Sequence, residues 1–239
     1  MCNCTSENLE IPGLVLTHHP GMTERGSLHS LEWRILKAEH KMPWLEPVTL
    51  SGPHAQLKPL SHDHVGGLTE AVKDGELWKL WYTSVPTPEG MGKEIDRRLG
   101  LQAAGAMLPF TVFDADGRIA GMSTYMNVDA PNRRVEIGST WYARRVQRSG
   151  LNTQCKLLLL THAFEKLDCI AVEFRTHFFN HQSRRGIERL GAKQDGILRS
   201  HQIAPNGTLR DTVVYSIIAG EWPTVKAHLT FQLNEKPRA

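Results

Sequence analysis

The stretch Gln147-Arg148-Ser149-Gly150-Leu151-Asn152 is a short polar loop with one glycine, and it leads straight into the apolar run from Cys155 to Leu167. A loop that feeds a helix start leaves backbone N–H groups without internal acceptors, and the helix macrodipole adds partial positive charge there. The chemistry this suits is anion binding, with phosphate as the natural guest. Gly150 would let the backbone approach the anion and adopt positive φ, and Asn152 can cap the helix. Arg144, Arg145, Arg148 and Lys156 raise the local positive potential. A single glycine in a basic loop is by itself more often an ordinary helix entry with solvated arginines. Its neighbours shift that balance.

The second chemical feature is one carboxylate in an otherwise apolar strand. Val135-Glu136-Ile137-Gly138-Ser139-Thr140-Trp141-Tyr142 alternates, with Val135, Ile137 and Trp141 on one face and Glu136, Gly138 and Thr140 on the other. Glu136 stands between Val135 and Ile137, where desolvation would raise its pKa into the range of a useful base. The same carboxylate could serve as a salt-bridge partner for Arg133, Arg134 or Arg175. On residue types alone the two readings stand level.

These residues need elements to hold them. Leu157, Leu160, Phe164 and Leu167 recur at near-helical spacing and predict one apolar stripe that packs on a sheet. Ile170, Val172 and Phe174 then alternate with polar neighbours as another strand, so the two strands flanking the helix should lie parallel with a right-handed crossover. Asn180 to Ala192 follows as a helix closed by Gly191.

In this order and spacing the segment resembles the GNAT superfamily of N-acetyltransferases, in the branch similar to the ribosomal-protein N-terminal acetyltransferases of Rim type. The acidic strand Val135 to Trp141, the loop Gln147-x-x-Gly150-x-Asn152 where the family has Q/R-x-x-G-x-G/A, and Asn180-x-x-Ser183 with Leu190-Gly191-Ala192 carry the resemblance. It extends over about Val48 to Leu229, and Asn152 departs from the small residue usual at its position. The resemblance implies an α+β fold with a mixed, mostly antiparallel central sheet and helices on both faces. It implies acetyl-CoA as cosubstrate, held by Gln147, Arg148, Ser149, Gly150, Leu151 and Asn152 at the pyrophosphate. Asn180 would hold the pantetheine or simply cap its helix, and backbone N–H groups around Trp141 and Tyr142 would polarise the carbonyl.

Acetyl transfer requires a neutral amine, a positioned thioester and a proton for the leaving thiolate. Glu136 is the candidate base, acting through water. Ser183 stands where the superfamily often carries a tyrosine, and is the candidate to hydrogen-bond or protonate the thiolate; Tyr142 and Tyr125 are alternative donors. Trp78, Trp81 and Tyr125 are the candidate acceptor wall, although any one aromatic is more often a packing residue. The implied acceptor is a protein N-terminus, the alternatives being a small-molecule amine or a non-catalytic acyl-CoA-binding module.

Composition bounds the rest. With 239 residues, 40% apolar, 22% charged and a net charge of +3, the chain reads as a globular protein without the basic excess of a nucleic-acid binder. No stretch approaches the ~20 apolar residues of a membrane span, and the first residues, with Glu7 and Glu10, are unlike a signal peptide. Cys2 and Cys4 lack the partners of a metal site, Cys155 and Cys169 read as buried thiols, and a reducing cytoplasm fits best. Residues 1–47 are expected to be an extension, with a helix over Ser27–His40, that is either partly disordered or docks on the domain or a partner chain. Residues 48–239 form the catalytic domain, and a homodimer through the C-terminal strands is compatible with it. His62 and His64 read as surface histidines rather than ligands.

Overall fold

The computed structural model describes residues 44–234, so the helix expected over Ser27–His40, and Cys2 and Cys4, lie outside the described residues. The Ser51-Gly52-Pro53 turn signal folds back the hairpin of β1 (Leu50–Gly52) and β2 (Ala55–Pro59). Ser61 then caps a short 3-10 turn that runs into α1 (Val65–Lys73). After the aromatic segment, α2 (Met91–Ala103) leads to a meander of β3 (Met107–Asp114), β4 (Ile119–Asp129) and β5 (Arg134–Tyr142). The core unit adds α3 (Leu151–Glu165), β6 (Ala171–His177) and α4 (His181–Glu188). β7 (Lys193–Ile203), β8 (Leu209–Ile218) and α5 (Trp222–Asn234) close the fold.

The eight strands form one sheet in the order β1-β2-β3-β4-β5-β6-β8-β7, and only β5 and β6 run parallel. This is the mostly antiparallel α+β architecture expected. Helices cover both faces: α3, α4 and α5 bury Leu159, Leu160, Ile187 and Leu229 against Val135, Ile137, Val172 and Phe174. On the other face α1 and α2 bury Leu68, Met91 and Ile95 against Met122 and Trp141.

Two details differ from the sequence-based expectation. The buried stripe of α3 is Leu151, Cys155, Leu159, Leu160 and Ala163, while Leu157 and Leu167 are only partly covered. A run of four leucines satisfies several helical phases, so their spacing alone could not choose the buried face. In β5 the alternation breaks at Ser139, whose backbone is left-handed at φ 47°, and the register with β4 shifts between Met122 and Thr124. This bulge inserts one residue and turns everything beyond it over. Thr140 therefore joins Val135 and Ile137 on the α3 face, and Trp141 packs on the opposite face under α1 and α2.

Candidate active site

The parallel pair β5 and β6 is in register only at Arg134–Ala171, Val135–Val172 and Glu136–Glu173. Beyond that point β5 stays with β4 as far as Tyr142, and β6 stays with β8 as far as His177. The strands thus part at Glu136. Along Ile137 to Tyr142 the edge of β5 that faces β6 has no ladder partner among the described residues; the Gly138 and Tyr142 carbonyls accept from the Thr140 and Gln147 side chains, and the other groups of that edge are left to bind an extended ligand.

Glu136 sits at the fork and is 5% exposed. Asn127 donates to its Oε2 at 2.6 Å, and the Arg175 Nε lies 3.6 Å away. Asn127 reaches it because β4 has its own irregularity there, with Asn127 left-handed at φ 47°. Burial pushes the Glu136 carboxyl above the ordinary carboxylate range, opposed by the Asn127 hydrogen bond and the Arg175 charge and reinforced by Glu173. Arg175 is held chiefly by Glu173, at 2.9 Å, so Glu136 is not its principal partner. Gly138 completes the cradle: a Cβ there would lie 2.7 Å from Glu136 Oε1 and 2.7 Å from Met126 Sδ.

The loop from Gln147 to Asn152 is built differently from the expectation. Gly150 is the N-cap residue with φ −72°, and the left-handed residue is Arg148, at φ 60°. Asn152 lies inside the first turn and does not cap it. Ser149 takes the local role, accepting from the Leu151 N–H at 3.2 Å and donating to the Val146 carbonyl at 2.6 Å. Gln147 donates to the Tyr142 carbonyl at 3.0 Å and so fastens the loop to β5. Gly150, Leu151 and Ser149 line a cleft of about 250 Å³ shared with His54, Arg118 and Arg145. Two carboxylates, Asp114 and Asp116, also line it, but Asp114 is bonded to Arg145 and Asp116 to Arg118. A larger, shallow hollow of about 490 Å³ on α5 holds none of the residues singled out by the sequence.

Asn180 is the N-cap of α4 and accepts from the Ser183 N–H at 3.0 Å. The Ser183 side chain is partly exposed, and its position at the start of α4 follows from that cap. Tyr142 is partly buried, and burial against the Cys155 thiol holds its hydroxyl well above the usual phenol range. Trp141 is 4% exposed and packs in the core, so only its backbone can meet a ligand. Tyr125 is a correction: it is fully buried among Phe110 and α3 and donates to the Leu159 carbonyl. It can be neither acceptor wall nor proton donor, because the alternation of β4 aims it at the α3 face.

Of the two tryptophans, Trp78 is partly buried against the cluster under α1 and α2, whereas Trp81 is 50% exposed. Trp81 meets the His177 ring edge-on at 5.1 Å and approaches Phe179, itself 56% exposed, at 6.0 Å. His177 follows Glu173 and Arg175 at two-residue steps on β6, so it lies on the Glu136 face roughly 13 Å beyond the fork, at ~3.3 Å per residue. Its Nδ1 accepts from the Phe179 N–H, which leaves Nε2 buried without a partner. Phe179, His177 and Asn127 were not picked out from sequence; an asparagine in a strand was the one available signal, because it tolerates the left-handed bend. His62 pairs with Asp96 and His64 with Thr111, and no metal-binding cluster occurs among the described residues.

The sequence pattern of the Acetyltransferase (GNAT) domain matches residues 55–193. A Bacillus subtilis (strain 168) protein described as "Putative ribosomal N-acetyltransferase YdaF" is 36% identical over 107 residues, which is 45% of this chain and 57% of that relative. The chain thus spans little more than half the length of that relative. Among solved structures, a GCN5-related N-acetyltransferase from Brucella melitensis superposes with a TM-score of 0.72 at 28% identity, covering 81% of this chain and 88% of that one. Mycobacterium smegmatis RimJ in complex with CoA-disulfide shares the fold, with a TM-score of 0.66 at 20% identity over 77% of this chain and 94% of that one. The chain belongs to the GNAT family of acetyltransferases.

Proposed function

We propose that the protein transfers an acetyl group from acetyl-CoA to a primary amine, and that the amine is the N-terminus of a protein or peptide. The observation that carries the reading is the fork at Glu136: a buried carboxyl of raised pKa stands where two parallel strands open a gap with a free backbone edge. The first-turn amides of α3, with Arg148 and Arg145 beside them, suit the pyrophosphate of such a cosubstrate. The open edge of β5 suits the amide groups of its pantetheine arm. In this reading Glu136, steadied by Asn127, takes a proton from the attacking amine through water. Free N–H groups of β5 draw charge from the thioester oxygen.

The peptide acceptor is supported by the exposed pair Trp81 and Phe179, an open apolar rim on the Glu136 side, and by the name of the Bacillus subtilis relative. A chain terminus can reach across such a rim, whereas a small amine gains most from an enclosed pocket. The test is thiol release from acetyl-CoA with peptides bearing free N-termini and with small amines, alongside a control without acceptor. Turnover of peptides supports the reading. Turnover confined to small amines overturns the acceptor, and coenzyme A binding without any turnover overturns the activity.

A further inference from the structure

Of the two buried cations among the described residues, Arg98 is paired with Glu94, and Lys156 remains without a role in the scheme above. Lys156 is on the second turn of α3 and is 6% exposed. Its Nζ reaches Thr140 Oγ1 on β5 at 3.2 Å and stands 5.7 Å over the Phe174 ring on β6. Both contacts lie past the last paired residues, Glu136 and Glu173, so the ammonium stands on the α3 side of the gap where the strands have parted. Thr140 is the only acceptor for its three donors among the described residues, and no carboxylate there lies within ion-pairing distance. An ammonium buried with one neutral hydrogen bond is costly to keep unless something else meets it.

Geometry names the visitor, given the coenzyme A reading. The phosphates bind at the start of α3, on one side of the sheet, while Glu136 and the Trp81–Phe179 rim lie on the other. A thioester that joins these two sites has to pass through the gap between β5 and β6, and Lys156 stands beside that passage. We propose that Lys156 is a catalytic residue whose ammonium holds and protonates the coenzyme A thiolate as it leaves.

The step balances. The amine nitrogen bonds to the acyl carbon, the carbon–sulfur bond breaks with its electron pair going to sulfur, and sulfur takes a proton from Lys156. The proton lost by the amine goes through water to Glu136, and exchange with solvent restores both groups. Burial draws the Lys156 ammonium down to about 8, against the opposing influence of the Cys155 thiol beside it and of Glu136 across the gap. That value is near the ordinary thiol range, which favours proton transfer between the two. Ser183, a hydroxyl of far weaker acidity, is then left as a helix-start residue.

The test begins at equilibrium. Coenzyme A is bound to the protein and its thiol is titrated by the ultraviolet absorbance of the thiolate, in the unsubstituted protein, Lys156→Met and Lys156→Arg. The expected result is a bound thiol that ionises at lower pH than free coenzyme A, with at least a tenfold larger thiolate fraction at a given pH. Lys156→Met should abolish the difference, and Lys156→Arg, which keeps the charge, should retain it. In turnover, Lys156→Met should lose on the order of 10²-fold in kcat. The fall of kcat above pH 8 should vanish in both variants. Methionine fills the same channel without a charge, so the variant should fold, which circular dichroism confirms. An unshifted thiol in the unsubstituted complex, or the same shift in Lys156→Met, overturns the role of Lys156 and leaves the coenzyme A assignment standing. Failure of the unsubstituted protein to bind coenzyme A overturns both. A preference for succinyl-CoA over acetyl-CoA that Lys156→Met removes would assign the ammonium to an acyl carboxylate and overturn the thiolate role.

Discussion

Gly138→Ala separates the geometry of the site from the stability of the fold. The backbone at Gly138 is not left-handed, so alanine fits it without strain, and in a strand alanine is favoured over glycine by about 0.5–1 kcal/mol. The new Cβ would nevertheless lie 2.7 Å from both Glu136 Oε1 and Met126 Sδ. Ordinary van der Waals contact begins at 3.4 Å, so the carboxyl and the thioether must each retreat by about 0.7 Å. Both are ends of flexible side chains, and the retreat is cheap for the fold. It is expensive for a base, because misplacing a catalytic group by ~1 Å costs about 100-fold. The expected outcome is a midpoint of thermal unfolding unchanged or slightly raised, with kcat for the peptide acceptor lowered roughly 10- to 100-fold. Calorimetric melting and thiol release measured on one preparation decide it. Full activity in Gly138→Ala would refute the placement of the reacting amine beside Glu136, and a large fall in melting temperature would refute the claim that only side-chain ends are displaced.

Other residues give shorter tests. Glu136→Gln should lower kcat, and the acidic limb of the wild-type profile, set by a carboxyl that burial holds above its usual range, should disappear with it; a retained limb would remove Glu136 as the base. Tyr125→Phe should leave kcat unchanged and cost about 1 kcal/mol of stability through the lost bond to the Leu159 carbonyl, as read by denaturant melts. Asn180→Ala should cost about 1 kcal/mol as a lost N-cap, and a weaker Kd for coenzyme A in calorimetry would show that Asn180 also touches the ligand. Lys156 titrates near 10.5 when unfolded and near 8 when folded, so between those values its own contribution to stability rises with pH, against the falling contributions of Cys155 and Cys169, whose thiols burial pushes up to about 12; Lys156→Met should therefore make the loss of stability with rising pH steeper, in melts at two pH values.

Most of the framework was legible because it rests on short-range signals. The alternation of Val135 to Ile137 and the glycine after α4 each specify a local conformation, and the crossover between β5 and β6 follows from their parallel order. The site depended on features with no such signal. Ser139 and Asn127 adopt left-handed backbones without being glycine, and each lies where the pairing of β4 with β5 shifts register. Gly150 was read as the flexible point of its loop, yet the chain bends at Arg148, because the loop is tied at Gln147 and Ser149. The pairing of Glu136 with Asn127, and of Lys156 with Thr140, joins residues brought together only by strand register and crossover packing, which the order of residue types does not encode.

The bulge at Ser139 connects the fold to the proposed chemistry. Had β5 kept a strict two-residue period, Thr140 would stand on the face of Glu136, and Lys156 would lose its one acceptor. Trp141 would turn into the α3 core and leave a void under α1 and α2. The extra residue puts Thr140 and the ammonium on the helix side while Glu136 and Gly138 stay on the acceptor side, with the gap between β5 and β6 separating them. A base and an acid that must act on one reacting centre without neutralising each other need this kind of separation, since an amino group and a carboxylate in contact would form an ion pair. In the proposed reaction the strand irregularity is therefore what allows proton removal on one face and proton donation on the other.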